Sequence, residues 1–105
     1  MLLKVNTSNT DYSGIYAIDF TKMVSAKTEG TTKLDIIFTS GYNDQNQVFT
    51  FTITANKADE VINCIFNKVA TCMKSGAGVC TLYDEYSNYK CCPSISGVNV
   101  KIRKV

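Results

Sequence analysis

Histidine is absent from the 105 residues of this chain. With it go the side chain that titrates near neutral pH, the Ser-His-Asp triad, the His-based zinc hydrolases and mixed Cys/His zinc sites. Proline occurs once, at Pro93, and glycine only six times, so nothing resembles an interdomain linker and residues 1–105 read as one domain. Arginine also occurs once, at Arg103; it is the residue that reads guanine or phosphate through paired hydrogen bonds, so specific base readout is not expected. Eleven cations against nine carboxylates leave a charge of +2 and a pI near 8.3, too balanced for obligatory association with nucleic acid or acidic membranes. No apolar run approaches the roughly 20 residues that span a bilayer, and Met1-Leu2-Leu3 is broken at Lys4, short of a signal-peptide core. The expectation is a soluble, unexported, cytoplasmic protein with no membrane partner.

What is present is enough for one core. The chain is 45% hydrophobic and 19% charged, and a folded domain of this size hides about 65% of its unfolded surface. Cysteines stand at 64, 72, 80, 91 and 92, an odd number with no C-x-x-C spacing. They read as free, small buried hydrophobes in a reducing compartment rather than as a metal site. Cys64 falls off the apolar stripe of its helix, beside Glu60 and Lys68, and is the thiol expected to be most accessible. Without a histidine base its catalytic use is disfavoured. No catalytic, metal or cofactor residues are assigned.

Between residues 12 and 55 the pattern has period two, with turn clusters between runs, which is the signature of antiparallel strands. Gly14–Phe20 places Tyr16, Ile18 and Phe20 opposite Ile15, Ala17 and Asp19. Lys22–Lys27 and Lys33–Thr39 form a hairpin around Thr28–Thr32, and Ser40–Asn46 is a polar loop. In Gln47–Ala55 the row Phe49, Phe51, Ile53 opposes Thr50, Thr52, Thr54. Asn56 reads as an N-cap, and an amphipathic helix over about 57–75 follows, with Ala58, Val61, Ile62, Ile65, Phe66, Val69, Cys72 and Met73 on one stripe. Gly76 supplies a left-handed C-cap. Val79–Tyr83 and Tyr89–Cys92 make a second hairpin, Val98, Val100 and Ile102 a last strand, and Leu2–Asn6 a further candidate.

The expected fold is α+β: a curved antiparallel sheet of about six or seven strands with one amphipathic helix packed on it. A helix of 18 residues covers only two or three strands. The remaining apolar area must be hidden by barrel closure, by a second layer, or by another copy of the chain. A copy seated on a face carrying Thr50, Thr52, Thr54, Ile37 and Ile15 would make the protein a homo-oligomer.

Three surfaces are candidates for function. Tyr83, Tyr86 and Tyr89 cluster around a hairpin tip, and clustered tyrosine supplies contact area at low entropic cost; the alternative is a polar loop in which Tyr83 and Tyr89 pair across strands. The neighbouring Asp84 and Glu85 point apart if they lie on a strand, unlike a catalytic carboxylate pair. Lys101, Arg103 and Lys104, with Lys4, Lys22, Lys27 and Lys33, would line a basic groove if their strands are neighbours, and exposed aromatics there could stack on bases. A solvated edge strand guarded by lysine is the alternative.

The order of strands and then a helix, Gln47-Val48-Phe49-Thr50-Phe51-Thr52-Ile53-Thr54-Ala55-Asn56-Lys57-Ala58-Asp59-Glu60-Val61, with Gly76 and Gly78 and a strand following, resembles small uncharacterised proteins of marine T4-like phages over about residues 47–83. The topology is also similar to PC4-like and whirly single-stranded-DNA-binding domains, from which the extra C-terminal strands and scarce arginine depart. The resulting expectation is a non-enzymatic oligomerising or structural interaction module, phage-encoded, in host cytoplasm or virion. Single-stranded nucleic-acid binding is the alternative, and a small enzyme the third reading.

Overall fold

The computed structural model describes residues 1–8, 14–42 and 45–104, with the side chains of 40–42 and 102–104 excepted. Among these residues are eight strands and one α-helix, in the order β1 (Leu2–Thr7), β2 (Gly14–Asp19), a 3₁₀ turn (Phe20–Lys22), β3 (Met23–Glu29), β4 (Lys33–Tyr42), β5 (Gln45–Ile53), α1 (Ala58–Lys74), β6 (Val79–Asp84), β7 (Tyr89–Lys90) and β8 (Ile95–Lys104). The α+β class is as expected, but the strands form two four-stranded sheets rather than one curved sheet of six or seven. Their orders are β2-β1-β6-β7 and β3-β4-β5-β8. Of the three ways to cover the apolar area, the chain uses a second layer of its own.

The division has a local cause. Asp19 accepts hydrogen bonds at Oδ1 from the Thr21 amide and hydroxyl, both at 2.9 Å, which stabilises the 3₁₀ turn between β2 and β3. The same bonds hold the Asp19 carboxyl below its usual range. The chain thus leaves the first sheet after β2 and builds the second with β3, β4 and β5, returning through α1. On return β6 pairs with β1 in parallel, Leu3 facing Cys80, with a register shift between Lys4 and Val5. A parallel pair requires a long crossover, and here everything from β2 to α1 supplies it.

Alternation decides the core. In the second sheet Ile36–Phe49–Val100 and Leu34–Phe51–Val98 are cross-strand rows, all buried. Leu3, Val5, Ile18, Cys80 and Leu82 of the first sheet belong to the same cluster, as do Val61, Ile65, Val69 and Cys72 of α1. The Phe49 ring is the hub: its centroid lies 4.9 Å from Phe38, 6.4 Å from Phe51, and 6.0 Å edge-on from Tyr16 in the opposite sheet. The Thr7 hydroxyl, also buried, donates to the Val98 carbonyl at 3.2 Å, tying one sheet to the other.

Several finer expectations are corrected. The helix cap is Lys57, without a side-chain bond, because Asn56 takes a left-handed φ of 62° and donates its amide to Thr31 instead. Phe66 and Met73 of the supposed buried stripe are exposed, since the helix buries its Val61–Ile65–Val69–Cys72 row, with Ala58, Ile62 and Cys64 packed beside it. Ser40–Tyr42 extends β4, and Gln45 and Asn46 begin β5, so these five residues of the expected polar loop are strand; residues 43 and 44 lie outside the described residues. Gly76 does take a left-handed φ of 70° just past the helix.

Candidate functional site at the tyrosine hairpin

β6 ends at Asp84, and the turn from 85 to 88 leads into the two-residue β7. Asp84 organises this turn: its Oδ1 accepts from the Tyr86 amide at 3.1 Å and the Ser87 amide at 3.3 Å. Such a bond to a backbone amide two residues on is the reason aspartate favours turns. Asn88 closes it at a φ of 56°, a conformation asparagine tolerates better than most residues. The same Asp84 oxygen accepts from the Asn6 side-chain Nδ2 at 3.3 Å. Glu85 is held from the other side, its Oε2 accepting from the Ser8 hydroxyl at 2.6 Å and the Ser8 amide at 3.1 Å. Both carboxylates therefore tie the hairpin to β1 and its extension, and they do not converge on a common point.

The turn borders a groove of about 290 Å³ whose lining runs from the hairpin to Ile95 and Ser96 at the start of β8. Tyr86 stands free at the tip, 66% exposed. Tyr83 and Tyr89 do not face each other: Tyr83 opposes Lys90 and Asp84 opposes Tyr89, which puts the two rings on opposite faces of the hairpin. Burial, and then the Glu85 charge, raise the Tyr83 phenol above its usual range. The Lys68 ammonium lies 5.3 Å from the centre of the Tyr89 ring, a cation–π contact that braces the hairpin against α1.

The threonine ladder is occupied within the chain. Thr50, 4% exposed, donates its hydroxyl to the buried Asp35 at 2.7 Å. Thr52 accepts from Lys33 Nζ at 2.9 Å. Thr54 lies beyond the end of β5 and donates to the Ser94 carbonyl at 3.4 Å. Ile15, expected beside them, belongs to β2 of the other sheet.

The basic residues divide between sheets. Lys27 faces Asp35, Lys33 faces Thr52, Lys101 faces Val48, and the backbone of Arg103 pairs with Asn46, so these four positions share the face of the second sheet opposite Phe49 and Phe51, a face whose central Asp35, Val48 and Thr50 are buried. Lys4 is in the first sheet and Lys22 in the 3₁₀ turn. The side chains of Arg103 and Lys104 lie outside the described residues. Phe38, Phe49 and Phe51 point inward and are buried, so they offer no stacking platform on that face.

The cysteines depart most from expectation. Cys72 and Cys80 are joined by a disulfide across 5.8 Å between their Cα atoms, so the reading of five free thiols is corrected for these two. Their eight-residue separation spans a helix end, the Gly76 turn and a strand start, a closeness that linear spacing does not reveal. Cys64, Cys91 and Cys92 remain thiols. Cys92 is buried and Cys91 half-buried. Cys64 is only half-buried, yet contact with the Cys92 sulfur, ahead of burial, pushes its thiol up to about 11. Burial, followed by the neighbouring sulfurs, pushes Cys91 to about 12. Raised values oppose use as a catalytic nucleophile near neutral pH, because the thiolate is the reactive form and its fraction there is small; slow, stoichiometric exchange with a disulfide needs only that small fraction. Among the described residues no group of three His, Cys, Asp or Glu side chains is placed to hold a metal ion, and no helix is long and apolar enough to cross a membrane.

No family model, curated protein or solved structure matches this chain.

Proposed function

We propose that this chain is a non-enzymatic interaction module that self-associates through the Tyr83–Tyr89 hairpin. The observation that carries this reading is the bracing of that hairpin: Asp84, Glu85 and Lys68 hold it on three sides while Tyr86 projects from its tip. A contact loop ordered before binding loses little entropy on docking, and exposed tyrosine joins a large ring area to one hydrogen-bonding group. The threonine ladder contributes less, since its hydroxyls are bonded within the chain. The setting we infer is phage-encoded, in host cytoplasm or virion. Of the two the Cys72–Cys80 bond favours the virion, which outlasts the reducing cytosol. Light scattering on the eluting protein tests the reading: the native chain is expected at a multiple of 11.6 kDa and Tyr86→Arg nearer the monomer. A strict monomer at every concentration overturns it.

A second reading, single-stranded nucleic-acid binding, is supported by the sharing of one sheet face by Lys27, Lys33, Lys101 and the Arg103 position. It requires retention on single-stranded DNA that weakens with salt; no retention at low salt ends it.

A further inference from the structure

Residues four apart in α1 lie one above another on the same face. Glu60, Cys64, Lys68 and Cys72 form such a row, and three of the four already have partners in the segment beyond the helix. Glu60 Oε2 accepts from the Ser94 hydroxyl at 2.9 Å. Lys68 covers the Tyr89 ring. Cys72 is bonded to Cys80, whose sulfur also lies 3.7 Å from the Lys68 carbonyl. The facing segment therefore passes the helix in reverse order: Ser94 meets 60, Tyr89 meets 68 and Cys80 meets 72. Between Ser94 and Tyr89 comes Cys92, which this reversed order places opposite Cys64; the contact with Cys92 that raises the Cys64 thiol agrees with that placement. Cys92 is held in place by its backbone, its carbonyl accepting from the Ile95 amide at 3.1 Å, while the preceding Cys91 amide donates to Leu82 at 3.0 Å.

We propose that Cys64 and Cys92 close a second disulfide, two helical turns from the Cys72–Cys80 bond, which fixes α1 to the segment joining the tyrosine hairpin to β8. The oxidant is a small-molecule disulfide of the oxidised glutathione class. The Cys64 thiol loses its proton and attacks one sulfur of the oxidant, and the first glutathione leaves as a thiolate that takes up that proton. Cys92 then loses its proton and attacks the Cys64 sulfur of the mixed disulfide, releasing the second glutathione thiol. The two cysteines together lose two electrons and two protons, and one oxidised glutathione becomes two reduced molecules. Cys64, half-buried, is the entry point; the buried Cys92 resolves the intermediate. Cys91 remains a thiol in both forms.

The test is alkylation of the whole folded chain after unfolding without reductant, before and after incubation with oxidised glutathione, followed by intact mass. The carbamidomethyl count is expected to fall from three to one, with five after full reduction. Trypsin then yields the segments 58–68 and 91–101 as one cross-linked species, present in Cys91→Ser and absent in Cys92→Ser. Should Cys92→Ser fail to fold, Cys91→Ser alone assigns the bond, because Cys92 is the only sulfur left in that segment. A count that stays at three, glutathione retained on Cys64 without a cross-link, a Cys91–Cys92 bond, or a link surviving in Cys92→Ser each overturns the proposal.

Discussion

Phe49→Ala removes the ring through which the two sheets meet. Phe49 is fully buried and touches Phe38 and Phe51 on its own sheet and Tyr16 on the other. Truncating a buried phenylalanine costs about 3–5 kcal/mol, because the transfer energy is lost and a cavity is left that neighbours fill only in part. A domain of this size has a total stability of roughly 5–15 kcal/mol, so the variant sits near the edge of folding. A melting temperature lower by about 15–20 °C is expected, at ~4–5 °C per kcal/mol. Phe49→Leu keeps most of the volume and loses only about 1.5 kcal/mol. The inter-sheet contact is isolated by a double-mutant cycle of Phe49→Leu with Tyr16→Leu, whose coupling is expected at roughly 0.5–1.5 kcal/mol. Urea unfolding followed by far-ultraviolet circular dichroism measures all three. A loss below about 1 kcal/mol in Phe49→Ala, against the expected 3–5, or a coupling of zero, would refute the packing of two sheets face to face at this ring.

Cys72→Ala with Cys80→Ala opens the eight-residue link and should lower stability by about 2.5 kcal/mol on the loop-entropy estimate, read as a fall in melting temperature of roughly 10 °C; an unchanged melting temperature would contradict it. Asn99 carries a buried Oδ1 with no hydrogen-bond partner and lies opposite Thr50 on β5. Asn99→Thr is therefore expected to be neutral or to stabilise by up to about 1 kcal/mol, because an unsatisfied buried acceptor is removed and a β-branched residue suits a strand; a clear loss in the urea midpoint would show that the amide is used. In the dithiol form, Cys91 is held neutral by burial, with its value raised from 9.0 to about 12. Its contribution to stability is thus complete below pH 9 and is lost as pH rises toward 12. Urea midpoints across that window should fall, less so in Cys91→Ala, and equal slopes would refute the assignment.

Much of the architecture is legible in residue order because it depends on local periodicity. Phe49, Phe51 and Ile53 alternate with Thr50, Thr52 and Thr54, and a pleated strand sends alternate residues to opposite faces whatever surrounds it. The helix likewise declares itself through Val61, Ile65, Val69 and Cys72, with Gly76 marking its end. The tyrosine hairpin is visible as three aromatic residues around a polar turn. Periodicity does not carry the partner of each strand. Nothing in Leu2–Thr7 announces that it pairs in parallel with Val79–Asp84, nor that the 3₁₀ turn at Phe20–Lys22 sends the next strands to a second sheet.

The candidate surfaces divide in the same way. That Thr50, Thr52 and Thr54 are hydroxyl-bearing and Tyr86 aromatic is a property of the chain. That Thr50 is bonded to Asp35 while Tyr86 stands free follows from which strands flank each. The gathering of Lys27, Lys33, Lys101 and the Arg103 position on one face, with Lys4 elsewhere, is a matter of strand order alone. The cysteines make the contrast sharpest. Their positions along the chain suggest no pairing, yet α1 brings Cys72 to Cys80 by running back along the segment that follows it.

Residue order by itself determined the α+β class, the helix, most strand faces and the absence of histidine chemistry, because these depend on neighbours within a few positions or on composition. Only the tertiary structure decided that the uncovered strands fold over as a second sheet, that two cysteines are bonded, and which polar side chains remain available. Those outcomes depend on contacts between residues far apart in the chain, where the energy of burying one face is shared among all surfaces that could cover it.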